Sequence, residues 1–321
     1  MTATQDIPAR SPDVVLFGEA LALLVADRPG PLEEVEHFTR KIAGAEVNVA
    51  IGLARLGLSV SWRSRLGADS MARFLVAAVQ REGIDVSHVV CDPAQRTGFQ
   101  LKGRVSDDSD PPVEYHRKGS AASLMGPDDV EVQWLTSARH LHVTGVFAAL
   151  SPTTLQASHA AVDAMRAAGR SISFDPNLRP TLWPSENAMR EAINRLAAKA
   201  DWVMPGIEEG RLLTGCDTPQ AIASFYRNSG AKIVVVKLGP QGAYYDDGKQ
   251  SGFVDGCPVE KVVDTVGAGD GFAVGLISGL LAGRSLAEAV ARGNWIGARQ
   301  VQTLGDSEGL PTSSELAQAG Y

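Results

Sequence analysis

Asp264-Thr265-Val266-Gly267-Ala268-Gly269-Asp270 places a carboxylate directly after a pair of glycines and ahead of the apolar residues 272–281, which Gly283 closes. A glycine-rich turn feeding a helix start leaves backbone N–H groups unpaired beside the positive end of the helix dipole, a ready anion site. Gly267 and Gly269 permit such a turn and a close approach to its backbone. Asp270 would repel an incoming phosphate unless it has a task, and general base is one that fits. It would take a proton from a hydroxyl while the N–H groups hold the charge on a transferred phosphoryl group. Taken alone, the same residues also describe an ordinary turn with Asp270 as an N-cap.

Two absences narrow the chemistry. No Gly-x-x-x-x-Gly-Lys-Ser/Thr occurs, which excludes a P-loop. Phe272 stands where a dinucleotide fingerprint starting at Gly267 would need its third glycine, which excludes a Rossmann reading of this turn. Two further stretches carry candidate groups. Ala43-Gly44-Ala45-Glu46-Val47-Asn48 offers small residues at a helix start and an amide for hydroxyls. Asp175-Pro176-Asn177-Leu178-Arg179-Pro180 follows a strand, where ligands of open α/β sheets gather, and Arg179 suits a carboxylate or phosphate. Tight helix packing and a surface ion pair are the plain alternatives for these two. His140 and His142 lack a third ligand in sequence reach and read as structural.

The elements that must position these groups follow a βαβα rhythm. Strands are expected at residues 14–17, 21–25, 60–64, 141–143, 171–174, 202–204, 233–236 and 259–263. Helices are expected at 48–56, 71–81, 153–168, 186–199, 272–281 and 286–301, with a further one opening after Pro205-Gly206-Ile207. That alternation means a parallel sheet with helices on its faces. The rhythm breaks between Thr97 and Arg117. There, residues 99–105 and 113–117 alternate around an acidic turn at 106–112, as an antiparallel hairpin suited to a lid or to a bare surface edge. Lys237-Leu238-Gly239-Pro240-Gln241-Gly242-Ala243 forms a glycine turn after the strongest β run, and Asp246-Asp247-Gly248 a hairpin turn.

With 321 residues the chain has length for one large α/β domain or two smaller ones. A net charge of −7 argues against nucleic acid or an anionic membrane as partner, while leaving local arginines free to bind a small anion. Cys91, Cys216 and Cys257 lie far apart and point to a reducing compartment, with neither a disulfide framework nor a zinc site. The polar first dozen residues show no signal peptide, and no apolar run spans a bilayer, so a cytoplasmic location is expected.

Together these motifs resemble the ribokinase-like (pfkB) carbohydrate kinases. Ala43 to Gly57 is similar to that family's first signature, Asp264 to Asp270 to its second, and Lys237-Leu238-Gly239 with Gly242-Ala243 to its nucleotide-side turn. The resemblance implies a three-layer α/β/α fold with a mostly parallel central sheet and a small β lid. One domain would cover residues 10–315, with lid segments at about 19–42 and 96–118. Asp270 would activate a primary hydroxyl of a sugar, and Gly267, Ala268 and Gly269 would form the anion hole. Gly44 and Asn48 would contact the sugar, with Tyr115, Arg117 and Arg179 on its acid end. Lys237, Gly239, Gly242, Gly267, Gly269 and Asn294 would lie along ATP. Glu209 would act indirectly on Mg2+, with K+ as a further cation, although Gly206 stands where the family has an asparagine. Gln100 and Leu178 also depart from the pattern, at places where relatives carry aromatic residues.

Within the family, the resemblance is to members acting on 2-keto-3-deoxygluconate. It rests on Gly18-Glu19-Ala20, residues 115–121, residues 177–183 and Gly305-Asp306-x-Glu308-Gly309. The expected partners are therefore a small acidic sugar and ATP, in a homodimer or higher homo-oligomer formed through the lid. Kinases of neutral or related sugars (fructose, ribose, 2-deoxy-5-ketogluconate) and a catalytically silent sugar-binding regulator are the alternatives.

Overall fold

The computed structural model describes residues 11–105 and 111–321. Strands β1 (Val14–Phe17), β2 (Leu21–Ala26) and β3 (Phe38–Ala43) lead into helix α1 (Ala45–Arg55). Next come β4 (Val60–Arg63), β5 (Arg65–Gly67), α2 (Ser70–Arg81), β6 (Val90–Asp92), β7 (Phe99–Lys102) and β8 (Val113–His116). The middle of the chain adds α3 (Val132–Ser137), β9 (His140–Thr144), α4 (Gly145–Ala148), α5 (Pro152–Ala167), β10 (Ser171–Asp175) and α6 (Glu186–Ala197). After β11 (Trp202–Val203) follow α7 (Ile207–Thr214), α8 (Pro219–Asn228), β12 (Ile233–Lys237), β13 (Ala243–Asp246) and β14 (Ser251–Val254). Helices α9 (Ala268–Leu281), α10 (Leu286–Gln300) and α11 (Ser313–Gln318) complete the fold.

Eight strands form one sheet in the order β14-β13-β12-β11-β10-β9-β1-β4, parallel from β4 to β12 and antiparallel at the β13–β14 hairpin. The strands at its centre are buried on both faces, which is why residues 14–17 and 233–236 read as unbroken apolar runs. One apolar cluster packs α5, α6 and α8 against one face, and another packs α1, α2, α9 and α10 against the other. The result is the ribokinase-like α/β fold with helices on both sides of a mostly parallel sheet. No helix among the described residues is long and apolar enough to cross a membrane.

A second sheet, in the order β3-β2-β7-β8, stands apart from the first. Strands β7 and β8 pair antiparallel as the alternation predicts, and β7 also adds in parallel to β2. Residues 106–110, most of the acidic turn expected between them, lie outside the described residues.

The expected strand at 259–263 does not form. Those residues follow β14 as irregular chain, with the N–H groups of Val263 and Asp264 both donating to the carbonyl of Val301. Val262 and Val263 are exposed, and Val259 and Val262 line a cavity instead of packing in a sheet. Their apolar character serves a concave surface, so β propensity misleads there.

Candidate active site

Helix α9 sets the position of the central carboxylate. It is almost wholly buried between α1 and α10, and its close contact with α10 depends on Gly275. A Cβ there would stand 2.5 Å from the Cα of Gly293. Gly267 caps α9 in the left-handed region (φ 82°), and a Cβ on it would meet the carbonyl oxygen of Asp306 at 2.3 Å. Only glycine suits that position. Asp270 therefore sits in the first turn, at a helix start that no side chain caps and where the N–H of Ala268 makes only a long 3.4 Å bond to the carbonyl of Thr265.

Asp270 is buried, and its Oδ2 accepts a 2.7 Å hydrogen bond from Nδ2 of Asn48 on α1. Nδ2 of Asn177 lies 3.4 Å from its Oδ1. Asn177 holds an unusual positive φ of 38°, which turns the loop after β10 toward the helix start. Burial pushes the Asp270 carboxyl above its ordinary value, while the Asn48 amide and the charges of Arg179 and Lys237 pull it back.

Two cavities meet at this helix start. The first, about 340 Å³, lies between α9 and the small sheet and is strongly polar. Gly44, Asn48, Tyr115, Arg117, Arg179 and Asp270 all line it, so the structure brings these six side chains and backbones together around one space. The second, about 480 Å³, is largely apolar and is lined by Gly239, Gly242, Ala268, Gly269 and Asn294. Glu209, Lys237, Thr265 and Gly269 border both.

Lys237, at the end of β12, pairs with Asp175 at the end of β10 at 2.7 Å. Burial alone would lower the Lys237 ammonium, but Asp175, Glu209 and Asp270 carry it above its ordinary value and keep it charged. It thus presents a positive charge at the boundary between the cavities. Glu209 is fully engaged: Oε1 accepts from the N–H of Leu178 and Oε2 from that of Gly206, each at 2.7 Å. Gly206 satisfies this carboxylate through its backbone, so the missing asparagine side chain leaves Glu209 partnered. Asn294 donates to the carbonyls of Val254 and Asp255 at 3.1 and 3.0 Å and so fixes the far rim of the apolar cavity.

The two arginines differ. Arg179 is exposed and, among the described residues, donates to the carbonyl of its neighbour Leu178 alone, so its guanidinium has donors to spare. Arg117 directs Nε (2.6 Å) and Nη2 (2.5 Å) to Glu19, which Ser120 also bonds. Burial pushes Glu19 upward, and Arg117 opposes that shift. Glu19, Glu46, Lys102, Asp175, Asn177 and Asp306 also line the polar cavity, and the sequence reading gave none of them a role. For Lys102 the alternation of β7 carried a signal, because it shares the inward face with Gln100. His140 and His142 instead bond to Ser171 and Ser173 within the sheet, with no metal cluster among the described residues.

The model for the pfkB family of carbohydrate kinases matches residues 11–313. The chain is 50% identical over 306 residues to the 2-dehydro-3-deoxygluconokinase of Bacillus subtilis, covering 95% of this chain and 94% of that one. Among solved structures, a PfkB protein from Polaromonas sp. JS666 is 64% identical with a TM-score of 0.89, covering 95% of this chain and 99% of that one. An E. coli protein described as a ribokinase II, in complex with ATP and Mg2+, has the same TM-score of 0.89 at 27% identity, over 96% of this chain and 98% of that one. Fold, motif order and these matches agree: the chain is an ATP-dependent carbohydrate kinase and belongs to the pfkB family.

Proposed function

We propose that the enzyme phosphorylates the 6-hydroxyl of 2-keto-3-deoxygluconate, with Asp270 as general base. The observation that carries the chemistry is the position of Asp270: at an open helix start, where a polar cavity and an apolar one meet. In this reading the polar cavity takes the sugar acid and the apolar one the adenine end of ATP. The reactive ends then meet over the N–H groups of Gly267, Ala268 and Gly269, with Lys237 beside them.

The step balances simply. The sugar oxygen forms a bond to the γ-phosphorus, the bond to the bridging oxygen of ADP breaks, and the hydroxyl proton passes to Asp270. Phosphoryl transfer needs positioning and charge stabilisation more than covalent help, and this chain supplies both. Gly44 and Asn48 would orient hydroxyls, Tyr115 and Arg179 the acid end, with Arg117 braced by Glu19. Lys237, Gly239, Gly242 and Asn294 would line the ATP path. Mg2+ supplies charge neutralisation on the phosphates when bound. The donor set fits an ion held chiefly by phosphates and water, since Glu209 has both oxygens occupied by backbone N–H groups and would act indirectly.

The acid substrate is supported by the free donors of Arg179 at the cavity and by the name of the Bacillus relative. Phosphorus NMR of the product tests the reading: a phosphomonoester on C6 is expected. Release of inorganic phosphate without a sugar ester would contradict it. A preference for K+ over Na+ in the same reaction would add a monovalent cation to the cofactors. A homodimer through the small sheet belongs to the same proposal, and sedimentation analysis tests it.

A further inference from the structure

Two lysines fasten the small sheet to the loops beneath the active site, and the chemistry above uses neither. Lys41 on β3 donates to the carbonyl of Leu304 at 2.7 Å and pairs with Glu308 at 3.0 Å. Lys102 on β7 is buried to 1% exposure, with its ammonium 2.5 Å from Asp264 and 3.7 Å from Oδ1 of Asp306. A fully buried lysine is rare and is found paired.

Both carboxylates belong to the support of the turn at 265–269. Oδ1 of Asp264 accepts from the N–H of Val266 at 3.1 Å, and its Oδ2 lies 3.4 Å from the N–H of Gly305. The carbonyl of Asp306 lies against Gly267, where a Cβ would collide with it. Oδ1 of Asp306 is buried without a hydrogen-bond partner, so the Lys102 charge is its nearest compensation.

We propose that Lys102 is a positioning residue for phosphoryl transfer, holding the turn that supplies the anion hole in register with the small sheet. This rests on reading that turn as the anion hole. Lys102 faces the polar cavity, but its ammonium is hydrogen-bonded to Asp264 with a second carboxylate, Asp306, at 3.7 Å, which sets it apart from a substrate clamp such as Arg179. Lys41 anchors the sheet independently, so loss of Lys102 releases the register of the turn and leaves the sheet attached. Even beside Lys102, burial pushes the Asp306 carboxyl up to about 7, so its pairing has little to spare.

The test compares wild type, K102M, K102R and the double variant K102M/D306N, each with kcat, KM for the sugar and the thermal midpoint. K102M should lose about 100-fold in kcat, the scale of a small misplacement at a reacting centre, with sugar KM little changed. K102R should recover part of that loss. K102M/D306N removes one of the two buried carboxylates that K102M strands and should regain part of the thermal midpoint without regaining kcat. Recovery of both in the double variant would assign Lys102 to stability alone and overturn the proposal. A normal kcat in K102M with a raised sugar KM would make it a substrate contact and overturn it equally. A wild type that binds ATP and sugar without transfer would instead refute the proposed function, which this comparison reads separately.

Discussion

Asn48 and Asp270, 222 positions apart, are joined by a 2.7 Å hydrogen bond from Nδ2 to Oδ2. The two signature stretches of the chain thus meet in a single contact, which aims the carboxylate and favours its charged form. Replacing Asn48 by Leu removes a bond that lowers the Asp270 carboxyl. Since the base works deprotonated, the acid limb of the kcat profile should move to higher pH in N48L. An unmoved limb, measured from pH 5 to 8, would separate the titrating group from Asp270.

Asp270→Asn keeps the shape of the side chain and removes the base. Turnover should fall by about 10²- to 10⁴-fold, the range that general base catalysis supplies. Calorimetric binding of sugar and nucleotide should persist. Retained turnover in D270N would remove the carboxylate from the mechanism.

Arg179→Ala should raise KM for an acid sugar far more than for a neutral one, because the exposed guanidinium has donors free at the cavity. Equal effects on both would contradict a carboxylate clamp.

Arg117 should behave differently, since it is tied to Glu19. Truncation in R117A strands a buried carboxylate and should cost about 3 kcal/mol of stability, as breaking buried pairs does. Denaturant unfolding of R117A and of R117A/E19Q measures this, and the double variant should regain most of the loss. A stable R117A with only a raised KM would return Arg117 to direct substrate contact.

Glu46, buried on α1 and bonded by the hydroxyl of Thr144, is pushed by burial from 4.5 up to about 7. Its folded value lies above its unfolded one. The stability it contributes is therefore complete below 4.5 and lost as pH rises through about 7. Wild type should lose thermal midpoint relative to E46Q across that window. Parallel curves would show that Glu46 does not titrate there.

Much of this was legible in the sequence because it rests on local rules. Gly267 and Gly269 before a helix announce the turn, and the run at 233–236 announces a central strand. What stayed hidden depends on pairing across long separations. No periodicity shows that Arg117 would meet Glu19, or that Lys102 would reach Asp264 and Asp306. Val259 and Val262 carry strand propensity yet border a cavity, a tertiary override of a local signal. Helix α8 passed unread between Gly215 and Ile233, although Thr218 caps it and Pro219 opens it as helix starts commonly do. Asn177 gave no sequence warning of its positive φ, since only the loop after β10 demands it.

The most direct measurement is ATP-dependent ADP release with 2-keto-3-deoxygluconate, 2-keto-3-deoxygalactonate, gluconate, fructose, ribose and 2-deoxy-5-ketogluconate side by side. Strong turnover on the keto-deoxy acid, with little on fructose or ribose, is the predicted result. Preference for a neutral sugar would keep Asp270 and the anion hole but contradict the acid-sugar assignment.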